Sequence, residues 1–228
     1  NNMINTIDKL LEPNIKNESE NVTIFNLCEA LESVCMDDNG IKHLSNGKFI
    51  ESMLNLLTEK QTDADIVKSV LECLDNYFSK EIGNNLKCDF NKILEILRGL
   101  QKKHYLNGDI LIVINSISNS LYKLLNKEKD SELREGFFKI ILESINIQDW
   151  NVPLLLNALK MLYEILRLKE NKHLLEIVFD DYVNSLLAII RNHQNNSEVI
   201  NYAYKILSLL ADKSVYGYSL MNNGLLEL

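Results

Sequence analysis

The chain has 228 residues, 46% hydrophobic and 25% charged, enough apolar material to bury a core without metals or crosslinks. Eight glycines and two prolines are too few turn residues for an all-β fold, so the composition is that of an all-helical protein. A formal charge of −8 and a pI near 5.1 exclude a dominant basic surface, and with it duplex DNA or an anionic membrane as the main partner.

No segment reaches the roughly 18 uninterrupted apolar residues of a membrane span, and the start "NNMINTIDKLL" has no basic region ahead of an apolar run. A soluble, cytoplasmic protein is expected. Cys28, Cys35, Cys73 and Cys88 lack C-x-x-C pairing and histidines at ligand spacing, which predicts small buried thiols rather than a zinc site. Sequons at Asn17, Asn21 and Asn195 carry little weight in a chain with 29 asparagines, where they arise by chance.

In chain order the predicted elements fall into units. The first (residues 1–46) holds "IDKLL", ending at Leu11, then "NESEN" as a solvated connector, then "LCEALESV" from Leu27. The second (47–88) holds "MLNLL", ending at Leu57, and "VLECLDNY" from Val70; the third (89–131) holds "ILEIL", ending at Leu97, and "INSISNSL" from Ile114. After "NKEKDSELREG", also read as a solvated connector, the fourth (132–179) holds "FFKII", ending at Ile141, and "ALKMLYEI" from Ala158. The fifth (180–223) holds "LLAII", ending at Ile190, and "AYKILSLL" from Ala203. Residues 224–228 of "LMNNGLLEL" open a sixth, which predicts an excerpt of a longer protein, since a solenoid end requires polar capping.

The second segments open 43, 44, 44 and 45 residues apart, and each has its next inward positions four and seven residues on, a single buried helical stripe. The third unit matches least well, with Ser118 at an inward position. The first segments end 46, 40, 44 and 49 residues apart, so length variation falls in the connecting loops. Asn-Gly at 39, 46, 107 and 223 predicts a left-handed residue closing one helix before the next begins; Gly47 and Gly224, 177 residues apart, span four units of about 44. In "DWNVPLLL", Asn151 reads as a helix cap, Pro153 as first-turn proline, and Trp150 as a hydrophobic staple onto Leu155 or an exposed anchor.

An N-G helix end, an apolar helix with a double aliphatic, and a long helix opening A-x-x-x-L-x-x-L together resemble an armadillo repeat, best in the fourth and fifth units, where Ala158 and Ala203 match the family's small residue. HEAT repeats are of similar length but are two-helix units that usually carry proline in the first helix; "SVYGYSLMNNG" favours the three-helix armadillo form. The resemblance implies an all-α, right-handed superhelix of the armadillo/HEAT-like solenoid type, with about five repeats of about 44 residues over residues 1–228. It also implies a concave groove that binds an extended peptide or a partner helix. Nuclear-import adaptors of this fold place Trp and Asn at the second and sixth positions after the small residue. The second positions here are Glu29, Glu72, Ser116, Lys160 and Lys205, and the sixth Ser33, Asn76, Ser120, Glu164 and Leu209, so an import-signal reader is not expected.

The expected groove residues are Glu29, Ser33, Glu72, Asn76, Ser116, Ser120, Lys123, Lys160, Glu164, Arg167 and Lys205, with Ser79 beside them, acidic toward the N-terminal end and basic toward the C-terminal end. The competing reading is of ordinary solvated charges. No P-loop, G-x-S-x-G, H-E-x-x-H or G-x-G-x-x-G occurs, and His43, His104, His173 and His193 are scattered, which predicts no enzyme, cofactor or metal. "DDNG" at 37–40 lacks a glutamate at the twelfth loop position, held by Lys48, so it reads as a helix end. The expectation is a monomeric, non-catalytic scaffold for a protein or peptide partner. The alternatives are a chaperone cofactor of the Hsp70 nucleotide-exchange or myosin-chaperone class, or a regulatory domain of a larger enzyme.

Overall fold

A computed structural model describes residues 18–36, 44, 48–80, 88–126, 129–147 and 150–212. "IDKLL", "DDNG", His43, the Asn-Gly pairs at 39, 46 and 223 and the sixth-unit start lie outside the described residues. Within them the fold is helical, without strands: α1 (Glu18–Met36), α2 (Lys48–Glu59), α3 (Ala64–Ser79), α4 (Phe90–Lys103), α5 (Gly108–Leu124), α6 (Ser131–Ile147), α7 (Val152–Leu166), a 3-10 turn (Lys169–Asn171), α8 (Leu174–Asn192) and α9 (Ser197–Ala211). The chain forms two compact units, Asn1–Phe137 and Phe138–Leu228, divided within α6. The expected repeat boundary at 179/180 falls inside α8, which runs unbroken.

Four helix starts, those of α3, α5, α7 and α9, share one chemistry, which Asp89 also supplies at the start of α4. The side-chain oxygens of Asp63 and Asn107 in the first unit each accept the backbone N–H three residues on, from Ile66 and Ile110, at 3.2 Å. In the second, Asn151 and Asn196 do the same with Leu154 and Val199, at 3.1 and 3.2 Å. An amide or carboxylate at this position satisfies a donor that the first turn otherwise leaves unpaired. The four caps stand 44, 44 and 45 residues apart. The corners leading into them also repeat: the N–H groups of Lys60, His104 and His193 return to Leu56, Leu100 and Ile189, and Asp63, Asn107 and Asn196 donate back to those three corner residues at 2.9, 2.8 and 2.8 Å. Asn-Gly at 107 therefore corrects the expectation of a terminator. Asn107 is extended, with φ −100°, and starts α5, whose first residue is Gly108.

In the first unit α3 lies between α1 and α5 and packs on both, while α2 packs on α3 and α4, and α4 on α5. The stripes drive this arrangement: Val70, Leu74 and Tyr77 of α3 and Ile114, Ser118 and Leu121 of α5 are all buried. Ser118 fits because its hydroxyl donates to the Ile114 carbonyl at 2.8 Å, leaving no unpaired polar atom in the stripe. Phe49 of α2 meets Tyr77 with ring centroids 5.2 Å apart, and Phe78 stands edge-on to Tyr77 at 5.6 Å. Each such fully buried side chain contributes about 1.5–3 kcal/mol of hydrophobic stabilisation before entropy is set against it. In the second unit α9 packs on α7 and α8, with Ala158, Leu162 and Ile165 facing inward from α7 and Ala203, Leu207 and Leu210 from α9.

The register of α1 is a correction. Its buried residues are Ile24, Cys28, Leu31 and Cys35; of the expected stripe Leu27, Leu31 and Val34, Leu31 is buried and the other two are only half-buried. Both sets have helical spacing, and the thiols of Cys28 and Cys35 act as small apolar groups that win the inward face. The charged runs are a second correction. Residues 18–21 of "NESEN" lie within α1, and the last six residues of "NKEKDSELREG" open α6. A run of good helix formers rich in carboxylates suits a first turn as well as a connector. Arg134 from the second run is 8% exposed, its Nε donating to the Tyr122 carbonyl at 3.1 Å and its guanidinium lying 4.2 Å from the Tyr122 ring centre.

Candidate functional site

The eleven expected groove residues all lie outside the buried core. In the first unit Glu29 and Ser33 on α1 and Lys123 on α5 are exposed, while Glu72 and Asn76 on α3 and Ser116 and Ser120 on α5 are half-buried; Ser79, at the end of α3, is exposed. In the second, Lys160 on α7 and Lys205 on α9 are half-buried, and Glu164 and Arg167 are exposed.

The first unit's polar face is tied across its row of long helices. Asn76 of α3 donates to Glu32 Oε1 of α1 at 3.2 Å, so Glu32 is the α1 residue joined to Asn76, whereas the Ser33 hydroxyl turns back to the Glu29 carbonyl at 3.1 Å. Lys68 Nζ bridges Asp109 Oδ2 at 3.0 Å and stands 4.0 Å from Glu72. Its hydrogen bond with Asp109 holds the Lys68 ammonium above its ordinary pKa. Burial raises the Glu72 carboxyl, against the pull of Lys68. Burial also raises Asp75, opposed by a hydrogen bond with Ser116, and Asp75 Oδ1 has no hydrogen-bond partner among the described residues. This face is rich in carboxylates: Glu32 lies near enough to Glu72, and Glu72 to Asp75, for each negative charge to raise its neighbour's carboxyl.

The second unit has the opposite sign at its centre. Lys205 Nζ of α9 lies 4.7 Å from the ring centre of Tyr202 and 5.3 Å from that of Tyr163 on α7. The two rings are 6.0 Å apart at 67°, an edge-to-face pair. Lys160 Nζ lies 5.7 Å from the Tyr202 ring centre and 3.4 Å from Glu198 Oε1. Arg167, just past the end of α7, pairs with Glu164 at 2.6 Å.

Glu32, Asp75, Asp109, Tyr163, Glu198 and Tyr202 escaped sequence reasoning. The positions two, six and nine residues from each stripe opening hold only part of the face; the tyrosines sit five residues after Ala158 and one before Ala203. Trp150 is 66% exposed while Leu155 is fully buried, so the ring stands out from the helix start and does not staple it. His104, His173 and His193 stand at helix ends, and His104 Nε2 is 2.8 Å from the Gln61 carbonyl of the neighbouring corner. Cys28, Cys35 and Cys73 are free and buried, and Cys88 is half-buried. Among the described residues, no helix is long and apolar enough to cross a membrane. No family model, curated protein or solved structure matches the chain.

Proposed function

We propose that the chain is a non-catalytic protein-binding scaffold of the armadillo/HEAT-like kind, a right-handed solenoid of about five repeats of about 44 residues that holds an extended peptide or partner helix. The recurring cap carries this reading: Asp63, Asn107, Asn151 and Asn196 start their helices with the same hydrogen bond at intervals of 44, 44 and 45 residues. A periodic helix start is what a stack of similar units requires. The polar faces of α1, α3 and α5, and of α7 and α9, support the binding role, because each combines half-buried charges with solvent access.

The free, buried Cys28, Cys35 and Cys73 support work in a reducing compartment such as the cytoplasm. The test reverses Lys160, Arg167 and Lys205 to Glu together and measures association with partners recovered by cross-linking to the full chain. Weakened association at low salt, with helicity intact by circular dichroism, supports the reading. Reproducible turnover in a hydrolase, kinase and transferase panel, lost when Glu72 or Lys205 is replaced, would overturn it.

A further inference from the structure

Lys205 differs from the other cations of its face. Lys160 is neutralised by Glu198 and Arg167 by Glu164, but Lys205 has no carboxylate within ion-pair distance among the described residues. Two tyrosine faces hold its ammonium in place, at 4.7 and 5.3 Å from their centres. A ring face stabilises a cation but leaves its three N–H donors without an oxygen to receive them. The result is a positioned positive charge with open hydrogen-bonding capacity, on a surface whose other charges cancel.

The half-buried rings of Tyr163 and Tyr202 add rigid, amphipathic contact area beside that charge. Resting on the scaffold reading, we propose that the α7–α9 face docks an acidic peptide segment of a partner protein, one carboxylate pairing with Lys205 and the adjoining backbone lying over Tyr163 and Tyr202. A single free ammonium suits a carboxylate better than a phosphate, which draws on several donors or an arginine fork, and the Arg167 fork is already taken by Glu164. The chain's net charge of −8 repels an acidic segment elsewhere, so the local reversal of sign also fixes where it lands.

The test uses the full chain and a fluorescein-labelled peptide of about a dozen alternating Glu and Ser residues, followed by anisotropy at about 20 mM and about 300 mM salt. The expected result is binding that fades with salt, falls about fivefold in Lys205→Gln and is unchanged in Arg191→Gln, which removes the same charge from α8. Tyr202→Leu weakens binding and Tyr202→Phe retains it, because phenylalanine keeps the ring face. Circular dichroism on each variant separates lost binding from lost fold, and Lys205→Gln, on the surface, reads the proposal even if Tyr202→Leu unfolds.

Binding unaffected by Lys205→Gln, or equally weakened by Arg191→Gln, would overturn the proposal while leaving the scaffold reading standing. Equal affinity for a Lys and Ser peptide, or no binding of the Glu and Ser peptide, would also overturn it. Displacement by about 10 mM inorganic phosphate would reassign the face to a phosphate-bearing ligand. The scaffold reading fails separately, on catalytic turnover.

Discussion

The thiol of Cys73 on α3 donates a hydrogen bond to the backbone carbonyl of Cys28 on α1 at 3.0 Å, joining two helices whose contacting residues are 45 positions apart. Both side chains are buried, with Cys35 two turns along the same stripe and Tyr77 one turn beyond Cys73. Burial pushes the Cys35 thiol up to about 12 and the Tyr77 phenol up to about 12, and the hydrogen bond with Cys28, with burial, raises Cys73.

Cys35 and Tyr77 are neutral at physiological pH and ionise later in the folded chain than in the unfolded one. Their contribution to stability is complete below the unfolded values, 9.0 for a thiol and 10.0 for tyrosine, and is lost as pH rises toward about 12. Calorimetry should therefore show Tm falling by roughly 5 °C between about pH 8.5 and about pH 11. Cys35→Ala should flatten that fall. An identical slope in the variant would remove Cys35 from the account.

Replacing Asn107 or Asn196 by Ala should cost about 1 kcal/mol each, the usual loss when a helix cap is deleted. Urea titration followed by circular dichroism measures it. Asn107→Asp should keep most of the stability, because a carboxylate caps the neighbouring helix start at Asp63. Asn107→Gly should lose only a few tenths of a kcal/mol, whereas Asn107→Ala matching wild type would contradict the capping role.

Arg134→Ala should destabilise by about 2–3 kcal/mol, through loss of the bond to the Tyr122 carbonyl and of the ring contact, together with packing of the arginine stem. Arg134→Lys should recover little, since an ammonium cannot lie flat on the ring while donating sideways. Full recovery by lysine in a denaturant titration would show that charge alone matters there.

Two glycines inside helices should respond differently to alanine. A Cβ added at Gly99 in α4 meets nothing within 4 Å, so Gly99→Ala should stabilise by about 0.5–1 kcal/mol through helix propensity. At Gly136 in α6 the added Cβ falls 2.5 Å from Leu94 Cδ2, so Leu94 must shift and the gain should vanish. Thermal melts of the pair give the comparison, and a gain at Gly136 as large as at Gly99 would contradict it.

The helices α3, α5, α7 and α9 were legible because their inward residues repeat with little variation, and Ser118 breaks the pattern harmlessly by bonding to its own helix. In α1 two stripes compete, and choosing between Leu27 and Cys28 depends on what α3 offers opposite them. Asn107 was misread because asparagine serves both a left-handed terminator and an extended cap, and only the backbone separates the two. The Lys205 cluster needed the offset between α7 and α9, which brings Tyr163 beside Tyr202, 39 residues on. Periodicity along one helix fixes which side chains face outward and says nothing of which outward residues on two helices meet.

Within three pairs of helices the corner is four residues long: 60–63, 104–107 and 193–196. The joint between the last two pairs, 167–173, spans seven residues and holds the 3-10 turn. An insertion or deletion in one of these corners should therefore be rejected, because a single added residue would displace a cap from its helix, while the 167–173 joint forms a tolerant edge. A tag, a loop graft or a flexible linker belongs at the tolerant edge, where natural variants would also differ most in length.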